Sequence, residues 1–121
     1  MVMMGTAHEN HKQIVKELGL QLGERVVEFP LWEDYASQIR SSIADLKNLG
    51  GDEAGAITAG KFLEHFVHFP WLHFDIAGVA FSKTSFYYHG EGGTGIGVRL
   101  LTSFLIQYCA NYGATKSKKL K

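Results

Sequence analysis

The sequence predicts an α/β fold in which helices cover a β-sheet, and three observations support this. Apolar residues recur at helical spacing in several stretches, most clearly between Ala59 and Phe66. Two short runs, Arg25 to Phe29 and Leu72 to Ile76, have the length and character of strands. Glycines and prolines fall between these segments as punctuation.

Taken in order, Thr6 and Glu9 have the T-x-x-E spacing of a capping box, where hydroxyl and carboxylate satisfy free amides at a helix start. The helix it opens carries Ile14, Leu18 and Leu22 on one face, with Gly19 and Gly23 marking its end loosely. Arg25 to Phe29 alternates as a short strand, and Pro30 stops it because it has no amide to donate. A second helix is predicted to carry Leu31, Tyr35 and Ile39 at i, i+4, i+8, and Ser41 to Asn48 then leads into the turn Gly50-Gly51. From about Glu53 to Val67 the pattern is strongest. Ala59, Phe62, Leu63 and Phe66 make an apolar stripe, and Lys61, Glu64, His65 and His68 make a polar one. Pro70 closes that helix. Leu72 to Ile76 reads as a buried strand running into the small residues Ala77 and Gly78, and Ser82 to Gly93 reads as loop. The last helix is predicted from about Thr94 to Tyr112. Val98, Leu101, Leu105 and Cys109 mark one side, and Leu100 and Phe104 widen its apolar surface, so it should be largely enclosed. The whole of 1–121 reads as a single segment, ending in a basic, frayed tail over 113–121.

Composition narrows the function classes. Of 121 residues, 45% are apolar and 20% charged, the balance of an ordinary globular domain. Twelve basic groups oppose twelve acidic ones, so total charge points to neither nucleic acid nor membrane as partner. The local excess, Lys116 to Lys121, reads as a solvated terminus rather than a binding arm. A single cysteine, Cys109, allows no internal disulfide and favours a reducing compartment. No apolar run approaches the roughly 20 residues that span a bilayer, and the N-terminus lacks a secretion signal, so a cytoplasmic location is the default expectation.

Three groups of residues invite a chemical reading. His65 and His68 are one helical turn apart and His73 and Asp75 share one face of a strand, which could suit a metal ion. Against this, no HExxH spacing exists, Pro70 redirects the chain between the pairs, and both helical histidines fall on the polar stripe. Gly90 to Gly95 matches G-x-G-x-x-G ahead of a helix, a spacing that can cradle phosphate on backbone amides. The preceding SFYYH and the missing acidic residue downstream do not suit a dinucleotide site, and a flexible entry with Thr94 as N-cap is the preferred reading of the loop. Cys109, mid-helix on an apolar side, reads as a core thiol, and no serine lies in a G-x-S-x-G elbow.

Five stretches, in order and spacing, resemble the end of the leucyl (cytosol) aminopeptidases: PLWEDY from Pro30, ADLKNLGG from Ala44, EAGAITAGKFLEHFV from Glu53, PWLHFDIAG from Pro70 and GTGIGVRLL from Gly93. The likeness extends more weakly from Gly5 to Asn111. It implies a mixed β-sheet flanked by helices, of which this chain would be the C-terminal portion of the catalytic domain. It also implies a family reaction, hydrolytic release of N-terminal residues from peptides with two divalent ions, zinc, manganese or magnesium. The family's ligands are a lysine and four carboxylates, assisted by a second lysine and an arginine, around the signature Asn-Thr-Asp-Ala-Glu-Gly-Arg. That string does not occur here, and Glu53 and Asp75 belong to stretches outside the metal centre. The resemblance therefore leads us to expect a C-terminal fragment with no catalytic residue and no metal ligand of its own, inactive alone. Pocket positions do carry over: Leu49 matches one lining the pocket for the residue after the scissile bond, and Ala77 and Ala80 match ones lining the pocket for the N-terminal side chain. The partners implied are a peptide substrate in the complete enzyme, and the missing N-terminal portion or further copies of the chain, since the family forms hexamers. The alternatives are a standalone, non-catalytic binding module that kept the fold and a phosphate-ligand binder using Gly90 to Gly95.

Overall fold

Three consecutive apolar residues near the N-terminus, Val2–Met4, form β1, the middle strand of a three-stranded sheet in the order β2-β1-β3. The computed structural model describes residues 1–85 and 90–117, with side chains as far as Asn111. β2 (Val27–Glu28) pairs with β1 in parallel, Val2 opposite Val27, and β3 (His73–Asp75) pairs with it antiparallel, Met3 opposite Phe74. The sheet is thus mixed. Met3 and Met4 are both fully buried, as expected for a central strand covered on both faces. Strands were expected at 25–29 and 72–76, and both form in shorter versions; β1 had no alternation to reveal it.

The chain divides into two compact units, Met1–Glu9 with Val27–Ile76, and Asn10–Val26 with Ala77–Lys121. In the first, the segment predicted as a second helix is a 3₁₀ helix, Glu33–Ile39. The Ser37 hydroxyl donates to the Asp34 carbonyl (2.9 Å) and the Arg40 amide donates to Ser37 (3.4 Å), local bonds of i to i−3 reach that compete with α-helical ones. α2 (Gly55–Glu64) packs on this 3₁₀ helix and on β1. Its buried residues are Ile57, Thr58, Gly60 and Lys61, which corrects the predicted orientation: the polar stripe is partly covered, while Ala59, Leu63 and Phe66 are exposed. Close approach decides this. A Cβ at Gly60 would collide with the Met4 sulfur and crowd Leu31, so the glycine lets helix and strand meet at a distance no larger residue allows.

In the second unit, α1 (Glu9–Gln21, entered from the first unit at Glu9) begins later than the capping box implied. The Ala7 amide is instead committed to the Trp71 carbonyl at 3.0 Å, so the segment after β1 stays non-helical, and Leu22 falls just beyond the helix end. The predicted loop 82–93 contains a small antiparallel pair, β4 (Phe81–Ser82) with β5 (Gly92–Gly93); residues 86–89 lie outside the described residues.

α3 (Val98–Ser117) starts four residues after Thr94, so that threonine is not its N-cap. A remote side chain has that role. Glu24, only 2% exposed, accepts the Gly97 amide (3.1 Å) and the Leu100 amide (3.0 Å) on Oε2, and Arg99 Nε donates to its Oε1 at 3.2 Å. A carboxylate there satisfies orphan amides and complements the positive end of the helix dipole. The expectation of an enclosed α3 is corrected: Leu100 is buried, but Val98 (65%), Ile106 (67%), Leu101 and Leu105 are exposed, and so is Cys109. His11 of α1 meets Phe104 and Tyr108 edge-on, at centroid distances of 6.3 and 5.4 Å. Of the basic tail, residues to Ser117 belong to α3, and 118–121 lie outside the described residues.

Candidate functional site

The loop 47–51 carries Leu49 between the 3₁₀ helix and α2, and it is tied to both. The Lys47 amide donates to the Ile39 carbonyl at 2.8 Å, and the Gly51 amide donates to Gln38 Oε1 at 3.3 Å. Gly50 lies against Thr58 of α2, where an added Cβ would come within 2.8 Å of Oγ1, so glycine is required for this packing. Leu49 itself is 76% exposed. It lines an open cleft of about 670 Å³ together with Gln38, Lys47, Gly50, Asp52 and Glu53. An apolar side chain held in water by a braced loop is suited to meeting another apolar group.

A second, smaller cleft of about 250 Å³ lies between the 3₁₀ helix and α2, lined by Glu33, Arg40, Lys61, Glu64 and His65 among others. Lys61 is 8% exposed, and its ammonium donates to Glu33 at 2.9 Å and to Glu64. Burial disfavours the charged lysine, yet the hydrogen bonds to Glu64 and Glu33 and their charges outweigh it, holding its pKa above the ordinary value. The hydrogen bond from Lys61, followed by its positive charge, lowers the pKa of Glu33. Lysine donors and carboxylate acceptors are thus matched, and the cluster pins the start of the 3₁₀ helix to α2.

Ala77 and Ala80 belong to the second unit, in the turn between β3 and β4, Ala77 exposed and Ala80 half-buried. That turn is fixed by Thr94, whose amide donates to Ala80 O (2.9 Å) and whose hydroxyl donates to Val79 O (2.7 Å). Thr94 was legible only as a helix cap; its anchoring role depends on a contact 15 residues back in the chain.

The histidine group does not assemble. His73 and Asp75 pair with β1, His65 packs edge-on to Phe66 at 5.0 Å, and no three His, Cys, Asp or Glu side chains among the described residues are placed to hold an ion. The two divalent ions that the resemblance implies therefore find no fitting ligand set in these residues. In the loop Gly90 to Gly95, Gly92 and Gly93 are in β5, and at the start of α3 the Gly97 and Leu100 amides donate to Glu24, so those two amides are not open to a phosphate.

Residues 1–102 match the family model described as the cytosol aminopeptidase family, catalytic domain. A probable cytosol aminopeptidase of Clostridium perfringens is 49% identical over 96 residues, covering 78% of this chain and 20% of the relative. One from Geobacter sulfurreducens is 46% identical over 94 residues, covering 77% and 19%. The chain thus spans about a fifth of the length of these relatives. Among solved structures, the cytosol aminopeptidase of Coxiella burnetii superposes with a TM-score of 0.77 at 30% identity, over 88% of this chain and 23% of that one. A mutant of tomato leucine aminopeptidase gives 0.76 at 30% identity, over 88% and 20%. The bottromycin maturation enzyme BotP, in complex with manganese, gives 0.79 at 31% identity, over 86% and 23%. With the mixed sheet and flanking helices described above, these matches establish that the chain belongs to the cytosol aminopeptidase family and corresponds to part of its catalytic domain.

Proposed function

We propose that this chain acts as the C-terminal portion of the catalytic domain of a metal-dependent leucyl aminopeptidase, in the cytoplasm, and shapes the substrate pocket rather than activating water. The observation that carries the reading is the pairing of family membership with Leu49, an exposed leucine on a braced loop at the edge of an open cleft. In this reading Leu49 borders the residue after the scissile bond. Ala77 and Ala80, small and at a turn pinned by Thr94, leave space for the N-terminal side chain. Zinc, manganese or magnesium ions, when bound in the complete enzyme, would supply an acidified water and a polarised carbonyl. In this reading the share of this chain is to bind and orient the peptide.

Two measurements test this. The purified chain should show no turnover of leucine p-nitroanilide with manganese or zinc added; metal-dependent turnover that persists after host peptidases are removed contradicts the division of labour. Conversely, replacing the matching segment of the Clostridium perfringens relative with this chain should give an active chimaera. In it, Ala77→Phe should lower kcat/KM for leucyl relative to glycyl substrates by about tenfold, since the ring fills side-chain space. A folded chimaera with an unchanged ratio removes Ala77 from the pocket.

A further inference from the structure

Leu49 is exposed and therefore not held by burial of its own side chain; its position is set by whatever holds the loop around it. Three contacts do so. Two of them, the Lys47 amide on Ile39 O and Gly50 against Thr58, involve backbone or packing. The third is a single side-chain hydrogen bond, Gly51 N–H to Gln38 Oε1, closing the loop 13 residues from its acceptor. Gln38 stands on a 3₁₀ helix whose own start is clamped to α2 through Glu33 and Lys61, so its carbonyl oxygen is presented from a fixed base. Gln38 and Leu49 line the same cleft of about 670 Å³.

We infer that Gln38 is a positioning residue, whose side-chain oxygen fixes Leu49 and so sets selectivity for the second residue of a peptide substrate. The inference rests on the pocket reading above. What Gly51 needs from position 38 is an acceptor of the right reach. Glutamate supplies the same Oε1, whereas methionine has similar length and no comparable acceptor. The resulting order of variants, glutamate like glutamine and methionine unlike both, is one that a mere packing role would not produce.

The first test uses the 121-residue chain itself. Amide exchange of Gly51 should quicken by about fivefold in Gln38→Met, as for loss of one ordinary hydrogen bond, and stay near the parent rate in Gln38→Glu. Equal exchange in all three forms overturns the inference. The second uses the active chimaera and the ratio of kcat/KM for leucyl-leucine to that for leucyl-glycine. Gln38→Met should lower this ratio about fivefold, Gln38→Glu should restore it, and the ratio of leucyl-glycine to alanyl-glycine should not move. Leu49→Ala separates the two possible failures. If Leu49→Ala leaves the second-residue ratio intact, the pocket reading falls and this inference with it; if Leu49→Ala shifts the ratio and Gln38→Met does not, only the inference falls.

Discussion

Lys61 lies on α2 between Glu33 and Glu64, and its environment illustrates how a charge can be held under cover. Its aliphatic stem can lie along apolar surface while the ammonium reaches two carboxylates, so burial and charge are compatible. Glu33, by contrast, is 83% exposed, and its link to Lys61 should fade in acid. A carboxylate whose pKa is lower folded than unfolded contributes stability above its ordinary value, 4.5, and loses it as pH falls through the lowered one. Lys61, raised, has the opposite sign: its contribution is complete below 10.5 and is lost as pH climbs through the raised value. The clamp is therefore at full strength across the neutral range. Glu33→Gln should lower the melting temperature at pH 7, and the gap from the parent chain should close as pH drops below 4.5. Thermal scans by circular dichroism at several pH values would show it; a gap that does not narrow at all as pH falls below 4.5 would mean the loss was one of packing.

At the scale of elements, α3 depends on a residue far from it in sequence. Glu24 follows α1 and takes the Gly97 and Leu100 amides, so the start of the last helix is completed by the segment just after the first. Glu24→Ala would leave two buried amides without an acceptor and should cost about 2 kcal/mol. Exchange of the Gly97 and Leu100 amides should quicken ahead of those deeper in α3, and Glu24→Gln, which keeps one acceptor oxygen, should fall between. α2 makes a related point. Its apolar stripe was legible as a period, but the face that packs carries Ile57, Thr58, Gly60 and Lys61, with Gly60 allowing the close approach to Met4.

For the whole molecule, the informative feature is what remains uncovered. β2 and β3 are edge strands of a three-stranded sheet, and α3 exposes Val98, Leu101, Leu105 and Ile106. Open edges and apolar helix faces favour association. We expect the isolated chain to self-associate, with a light-scattering mass that rises with concentration above 13.4 kDa. A constant monomer mass at the highest concentration, with cooperative unfolding, would show that these surfaces are tolerated in water.

By itself the sequence determined the fold class, the segments that would be helical, the positions of β2 and β3 to within two residues, and the family, because periodicity, proline and glycine stops and ordered motifs are all local signals. Leu49, Ala77 and Ala80 are proposed as pocket positions only through resemblance to that family. Tertiary structure decided the rest. β1 has three apolar residues without alternation, so only its two partners make it a strand. Thr94 and Glu24 acquire their roles from partners 15 and more than 70 residues away, and Gln38 meets Gly51 only once the intervening loop folds back. No local pattern encodes such contacts, since they depend on which surfaces are brought together rather than on which residues are adjacent.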